Sequence, residues 1–252
     1  MCDLFALSAS RHRIASASLP LFAMRGRDNV HGWGIGFFRQ ARPRVEKSGE
    51  RVYEAGRLHD SFQRLARVVH SPVIVAHIRY KSSGLVDECH AHPFVLDFWG
   101  QSWLFAHNGK VPAIEGYQSR HTPVLEAVSD SARIFEYIRD LFVEAAPRRT
   151  ATPMMEFFRQ GLAKLLSEYP GEYNFILTNG GIIWAFTNHR QFLLLKGSRK
   201  LEDALLLTTI EEGLSPETWE KVEAREGSPG KILLIAGGDL IVAEDLAGPG
   251  RK

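Results

Sequence analysis

The sequence has 252 residues, 44% of them apolar and 24% charged, with a formal charge of +2. That length allows one large core or two small ones, while nothing in the near-neutral balance points to a nucleic-acid footprint and no apolar run is long enough to span a bilayer. Cys2 and Cys89 are the only cysteines, a usage that fits a reducing compartment better than a disulfide scaffold. No basic-then-apolar leader precedes the acid at position 3, so the cytoplasm is the expected location.

In chain order, Cys2 to Leu7 reads as a strand beginning almost at the terminus. His31-Gly-Trp-Gly-Ile-Gly-Phe-Phe38 reads as a second, and its alternating glycines signal a close backbone approach by something else. Arg39 to Arg51 is polar and basic and is expected to be an exposed hairpin tip. Val73 to Tyr80 is an apolar strand ending in charge. Ser102 to His107 repeats that design and stops at the turn dipeptide Asn108-Gly109.

Two helices follow. One starts after Ser129-Asp130-Ser131, with Ile134, Ile138, Leu141 and Phe142 at helical spacing. The other opens at Thr152-Pro153, a cap with proline at the first helical position, and runs through Met155, Phe158, Leu162 and Leu166. Tyr173 to Thr178 and Gly181 to Thr187 flank Asn179-Gly180, a hairpin signal. Gln191 to Lys196, Ala204 to Thr209, Lys231 to Ile235 and Leu240 to Ala243 complete the strands, and the tail after Asp245 is expected to fray. Strands, then helices, then strands make an α+β pattern with antiparallel sheets, without a repeat or a domain linker.

The candidate chemistry begins at Cys2. Removal of Met1 would leave an α-amine titrating near about 8 beside a thiol near about 8.5, a nucleophile and its base on one residue. Position alone does not establish this; a small residue at position 2 with no role explains it as well. Asn108-Gly109 could offer a side-chain amide and a backbone N–H to an oxyanion, or be a plain hairpin turn. Arg79, at the end of an apolar strand, suits a carboxylate ligand or a structural ion pair equally. Ser82 and Ser83 follow in a loop with hydroxyls to offer. Asp130 could bind an ammonium, or Ser129 or Asp130 could simply cap the helix. His90 and His92 would share one face of a strand and could meet a cation, but no third and fourth ligands are spaced nearby. His77 and His107 on apolar strands read as satisfied core histidines.

Taken in order, Met1-Cys2-Asp-Leu, His31-Gly-Trp-Gly-Ile-Gly-Phe37, Ala76-His-Ile-Arg79, His92-Pro-Phe94, Ala106-His-Asn-Gly109 and Ser129-Asp130-Ser131 resemble the class II glutamine amidotransferase domain, an N-terminal-nucleophile hydrolase. Tyr173 to Thr178, Thr208 to Leu214 and Trp219 resemble stand-alone bacterial members, so the likeness covers nearly the whole chain as one domain, 1–252. It implies a four-layer αββα sandwich of two antiparallel sheets. It also implies Cys2 as nucleophile with its α-amine as base, Asn108 and Gly109 as the oxyanion hole, Arg79 and Ser82 on the substrate α-carboxylate and Asp130 on its α-ammonium. Ser129, Ala132, Lys81 and Ser83 depart from the pattern of many relatives. No metal or organic cofactor is expected. The substrate would be glutamine or a γ-glutamyl compound, with a separate synthase subunit as one ammonia acceptor. The rival readings are a plain γ-glutamyl hydrolase and a catalytically silent amino-acid-binding protein on the same fold.

Overall fold

The computed structural model describes residues 1–145, 154–198, 201–210 and 214–247. Two antiparallel sheets account for most of it. The first has seven strands in the order β13 (Glu220–Val222), β11 (Phe192–Ser198), β12 (Leu201–Thr208), β1 (Asp3–Arg13), β6 (Ser71–Ile78), β2 (Trp33–Arg39) and β3 (Arg42–Ser48). The second has six, β15 (Asp239–Asp245), β14 (Lys231–Ala236), β10 (Ile182–Thr187), β9 (Asn174–Thr178), β8 (Gln101–Asn108) and β7 (Phe94–Phe98). A two-stranded ribbon, β4 (Tyr53–Glu54) and β5 (Arg57–Leu58), stands apart.

Three apolar clusters show how the layers stack. Leu4, Ala6, Val75, Leu207, Leu104, Ala106, Ile176 and Leu233 meet between the sheets. The opposite face of the first sheet, with Phe5, Leu7, Ile74 and Ala76, packs under helices α1 (Ser18–Ala23) and α2 (Asp60–Val68) through Leu19, Phe22, Phe62 and Ala66. The outer face of the second, with Trp103, Phe105, Phe175 and Trp184, packs under α3 (Asp130–Ala145) and α4 (Met154–Glu168) through Phe135, Ile138, Phe142, Phe158 and Leu162. The result is the expected αββα sandwich. Central strands covered on both faces explain why Val73–Ala76 and Leu104–Ala106 read as unbroken apolar runs.

Several expectations need correction. The stretch 39–51 is more than a hairpin tip: after a turn at Gln40 and Ala41, both at positive φ, Arg42–Ser48 pairs along all of β2 as an edge strand. Its charges suit an edge, where they discourage further strand addition. Strand β7 and helices α1 and α2 were not foreseen. The two helices span six and nine residues, too few turns for periodicity to stand out. The Thr152-Pro153 start of the second expected helix lies outside the described residues, as does the chain beyond 247. Leu246 is not frayed: it is buried, and its N–H donates to the Gly230 carbonyl at 2.7 Å.

The glycines of β2 behave as their alternation suggests. A Cβ on Gly34 would lie 2.1 Å from the His92 carbonyl oxygen, and one on Gly36 2.6 Å from the Pro93 ring. The His92-Pro93 segment therefore lies directly on the strand. Because the obstacle at Gly34 is backbone, Gly34→Ala is expected to lower unfolding stability by about 2–3 kcal/mol; an unchanged urea midpoint would show that the segment yields freely.

Candidate active site

Residue 2 immediately precedes β1, whose ladder runs on both sides, to β6 and to β12. The end of β6 delivers Arg79 and Tyr80 beside it. The Tyr80 N–H donates to Cys2 Sγ at 3.2 Å and the thiol faces the Tyr80 carbonyl at 3.3 Å. The sulfur sits away from solvent although the residue is only half-buried, and burial pushes the thiol pKa up to about 11, against smaller opposing effects from the Tyr80 backbone, the terminal ammonium and Arg79.

From the facing sheet, β8 ends at Asn108, whose Nδ2 donates to the Cys2 carbonyl at 2.7 Å. An amide nitrogen carries two hydrogens, so one remains for a further acceptor. Gly109 follows at φ +155°, and a Cβ there would fall 1.9 Å from the Glu172 carbonyl oxygen. Only glycine fits this turn. Cys2, Arg79, Ser82, Gly109 and Asp130 line one small cleft, together with Tyr80, Ser83, His90, His92, His107, Ser129 and Ser131. Every site residue expected from sequence thus converges here, Asn108 through its hydrogen bond to Cys2.

The alternatives resolve individually. Arg79 makes no ion pair among the described residues; its guanidinium donates to the carbonyls of Leu85 at 2.5 Å and Ser83 at 2.9 Å, folding its own loop around it. Burial lowers its pKa, partly offset by Cys2, Asp87 and Asp130. The helix cap falls to Ser129, whose Oγ accepts the Ala132 N–H at 3.3 Å. Asp130 instead accepts the Val111 N–H at 2.9 Å on one oxygen and the Ser131 N–H at 2.8 Å on the other. Its carboxylate is buried at the positive end of α3, a favourable place for an anion.

His90 and His92 lie in the loop before β7, not on a strand. His90 Nδ1 pairs with Asp87 at 2.6 Å and its Nε2 accepts the Val128 N–H at 3.2 Å. Among the described residues, no group of three or more His, Cys, Asp or Glu side chains is placed to hold a metal ion. His92 and His107, on the cleft wall, instead join His77 behind them. His92 Nδ1 lies 3.2 Å from His77 Nε2 and accepts the His107 N–H at 3.4 Å. The Glu172 carbonyl, which only accepts, sits 3.1 Å from His107 Nε2, so that nitrogen carries the hydrogen and Nδ1 accepts the Ser131 hydroxyl at 2.9 Å. His77 is less satisfied than expected, since its Nδ1 has no hydrogen-bond partner among the described residues.

Sequence reasoning overlooked Asp3 and Arg190. Asp3 is fully buried and takes Asn29 Nδ2 at 2.7 Å and Arg25 Nε at 3.4 Å. Arg190 Nη1 donates to the Cys2 carbonyl at 3.1 Å and faces Asp3 at 3.4 Å, and Nη2 donates to the Thr209 carbonyl at 2.8 Å. An acid inside an apolar strand was the available signal for Asp3; nothing local marks Arg190.

Two facing antiparallel sheets between helices, with a cysteine at the start of a central strand, define the N-terminal-nucleophile hydrolase arrangement. The chain belongs to the class-II glutamine amidotransferases, whose family model matches residues 1–240. The uncharacterized protein MJ1515 of Methanocaldococcus jannaschii is 27% identical over 96% of this chain and 71% of its own length. The γ-glutamyl-hercynylcysteine sulfoxide hydrolase of Mycobacterium tuberculosis is 34% identical over 113 residues, 45% of this chain and 44% of that relative, so this chain spans less than half of it. A predicted glutamine amidotransferase of Pseudomonas aeruginosa PA01 shares the fold with a TM-score of 0.61, at 18% identity over 96% of this chain and all of its own.

The buried histidines make stability depend on pH. Burial lowers all three pKa values from the usual 6.5, with Arg79 and His107 adding to it at His77, which reaches about 3. At His77 the unfolded chain therefore takes up a proton below about 6.5 that the folded chain refuses until about 3, and His92 and His107 act in the same direction. The His77 contribution is complete above that upper value and is lost as pH falls through the window, by up to about 1.4 kcal/mol per pH unit. Urea unfolding at pH 7.5, 6.5 and 5.5 should show this decline, and His77→Gln should flatten it by about one proton. Equal slopes in both proteins would exclude His77 as a source.

Proposed function

We propose that the protein hydrolyses the γ-amide of glutamine through a γ-glutamyl thioester on Cys2, after Met1 is removed. The observation that supports this most directly is the convergence of Cys2, Arg79, Gly109 and Asp130 on one cleft, with Asn108 bonded to the Cys2 carbonyl. With Met1 attached, residue 2 has an amide nitrogen in place of a base, and a thiol at about 11 stays protonated at neutral pH. Removal of Met1 frees the α-amine to take that proton.

The sulfur then attacks the amide carbon, forming a C–S bond and placing negative charge on the carbonyl oxygen. The second Asn108 hydrogen and the Gly109 N–H would receive that charge. Collapse breaks the C–N bond, the ammonium proton passes to the leaving nitrogen, and ammonia departs. Water adds to the thioester, the C–S bond breaks, and glutamate leaves with the thiol restored. Arg79 would bind the substrate α-carboxylate and Asp130 its α-ammonium, with Ser82 beside the former.

A second reading, hydrolysis of a γ-glutamyl conjugate without an ammonia acceptor, is favoured by the likeness to the mycobacterial γ-glutamyl hydrolase. Glutamate release from glutamine and from a panel of γ-glutamyl amides distinguishes the two, with intact mass reporting Met1. Cys2→Ala should abolish release, and equal release by it would overturn the nucleophile. Asn108→Ala should lower kcat by about a hundred- to thousandfold. Arg79→Ala should raise KM about tenfold or more with little change in melting temperature; a loss of stability alone would leave Arg79 a loop anchor.

A further inference from the structure

The loop Asn188–Arg190, between β10 and β11, is braced more heavily than a surface turn requires. Asn174 stands opposite Asn108 in the β8–β9 register. Its side chain clamps the Arg190 main chain from both sides: Oδ1 accepts the N–H at 2.9 Å and Nδ2 donates to the carbonyl at 2.6 Å. The Thr187 hydroxyl donates to that same carbonyl, and Asn188 Oδ1 accepts the Tyr173 N–H at 2.7 Å.

From this fixed backbone the guanidinium reaches across to the Cys2 carbonyl. That single oxygen is thus gripped twice, by Asn108 from β8 and by Arg190 from the loop that Asn174 anchors. Holding the carbonyl fixes the peptide plane that follows residue 2, and with it the place from which its α-carbon presents the nitrogen and the thiol to the cleft.

Charge acts in the same sense. Arg190 Nη1 lies 3.1 Å from the Cys2 carbonyl and 3.4 Å from Asp3. Arg25 also reaches Asp3, at 3.4 Å, and Asp28 at 4.0 Å. Arg79 adds another cation from the end of β6, while Asp130 at the start of α3 opposes it, and Glu172 is 3.6 Å from His189. His92 and His107 remain neutral through burial. The Arg190 charge, bonded to residue 2 itself, therefore favours a free amine there, and without it the surrounding carboxylates would favour the ammonium.

We propose that Arg190 is a positioning residue for the nucleophile: it orients residue 2 through its carbonyl and keeps the freed α-amine unprotonated, ready to accept the thiol proton. This rests on the Cys2 reading above, so its test uses a readout independent of turnover. The α-amine of protein lacking Met1 by intact mass is titrated by competitive labelling across pH, beside steady-state glutamate release. Arg190→Gln should raise the amine pKa by about one unit, and lower kcat at pH 7 about tenfold with KM within about threefold. Arg190→Lys keeps the charge but loses the fork, so the amine pKa should return to the wild-type value while kcat stays reduced.

An amine that titrates identically in wild type and Arg190→Gln would overturn the electrostatic role. Should that variant not fold, Arg190→Lys carries the test, and wild-type kcat in it would overturn the positioning role. A wild-type protein inactive on every γ-glutamyl amide, yet showing the amine shift between variants, would count against the proposed function and leave Arg190 standing.

Discussion

The first strand of the chain lies in the interior of a sheet, hydrogen-bonded to β12 on one side and to β6 on the other. Chain ends usually fray, because few contacts oppose their entropy. Here the ladder begins at Asp3, paired with Ile78, so residue 2 inherits the order of the sheet centre. Leu4 and Phe5 on opposite faces are each fully buried, in different apolar layers. Slippage of this strand would misplace both layers at once. The candidate nucleophile is therefore positioned by the core itself, and the polar groups around it refine that placement.

Those polar groups come from strand ends. Arg79 and Tyr80 follow β6, Asn108 ends β8, and Asn174 begins β9. A strand end is where a rigid backbone hands over to a loop, so side chains there are precise yet reach a cleft. The cleft lies where the ends of the two sheets meet, with the start of α3 closing it through Ser129, Asp130 and Ser131. His92 and His107 on its wall and His77 behind them, all three neutral, fill space that charged groups could occupy only at a cost in desolvation.

Much of this was legible in the sequence, and the exceptions have physical reasons. Strands covered on both faces appear as apolar runs, which is why β6, β8, β9 and β10 could be read within a few residues; β1 was read only to Leu7 and continues through the mostly polar Ser8–Arg13. Edge strand β3 carries Arg42, Arg44, Glu46 and Lys47 and so resembles a loop. The short helices α1 and α2 take their stability from packing against Phe5 and Trp33 rather than from a long amphipathic period. Among site residues, Cys2 stood out by its position and Arg79, Asn108 and Gly109 by ending apolar strands, but only the resemblance to the class II amidotransferases joined them into one candidate site. Arg190 was not, because its partners Cys2, Asp3 and Thr209 are distant in sequence and its loop shows no motif of its own.

Arg79 binds the carbonyls of Ser83 and Leu85, while Leu85 and Val86 beyond it are exposed. Two of the five N–H groups of this guanidinium hold the loop, which leaves three for a carboxylate. Ligand affinity and loop conformation are then linked quantities. A substitution that loosens residues 82–86 would release the guanidinium from its present aim and weaken binding without touching the ligand. Selectivity among carboxylates could thus drift through a surface loop while the centre of the site stays unchanged.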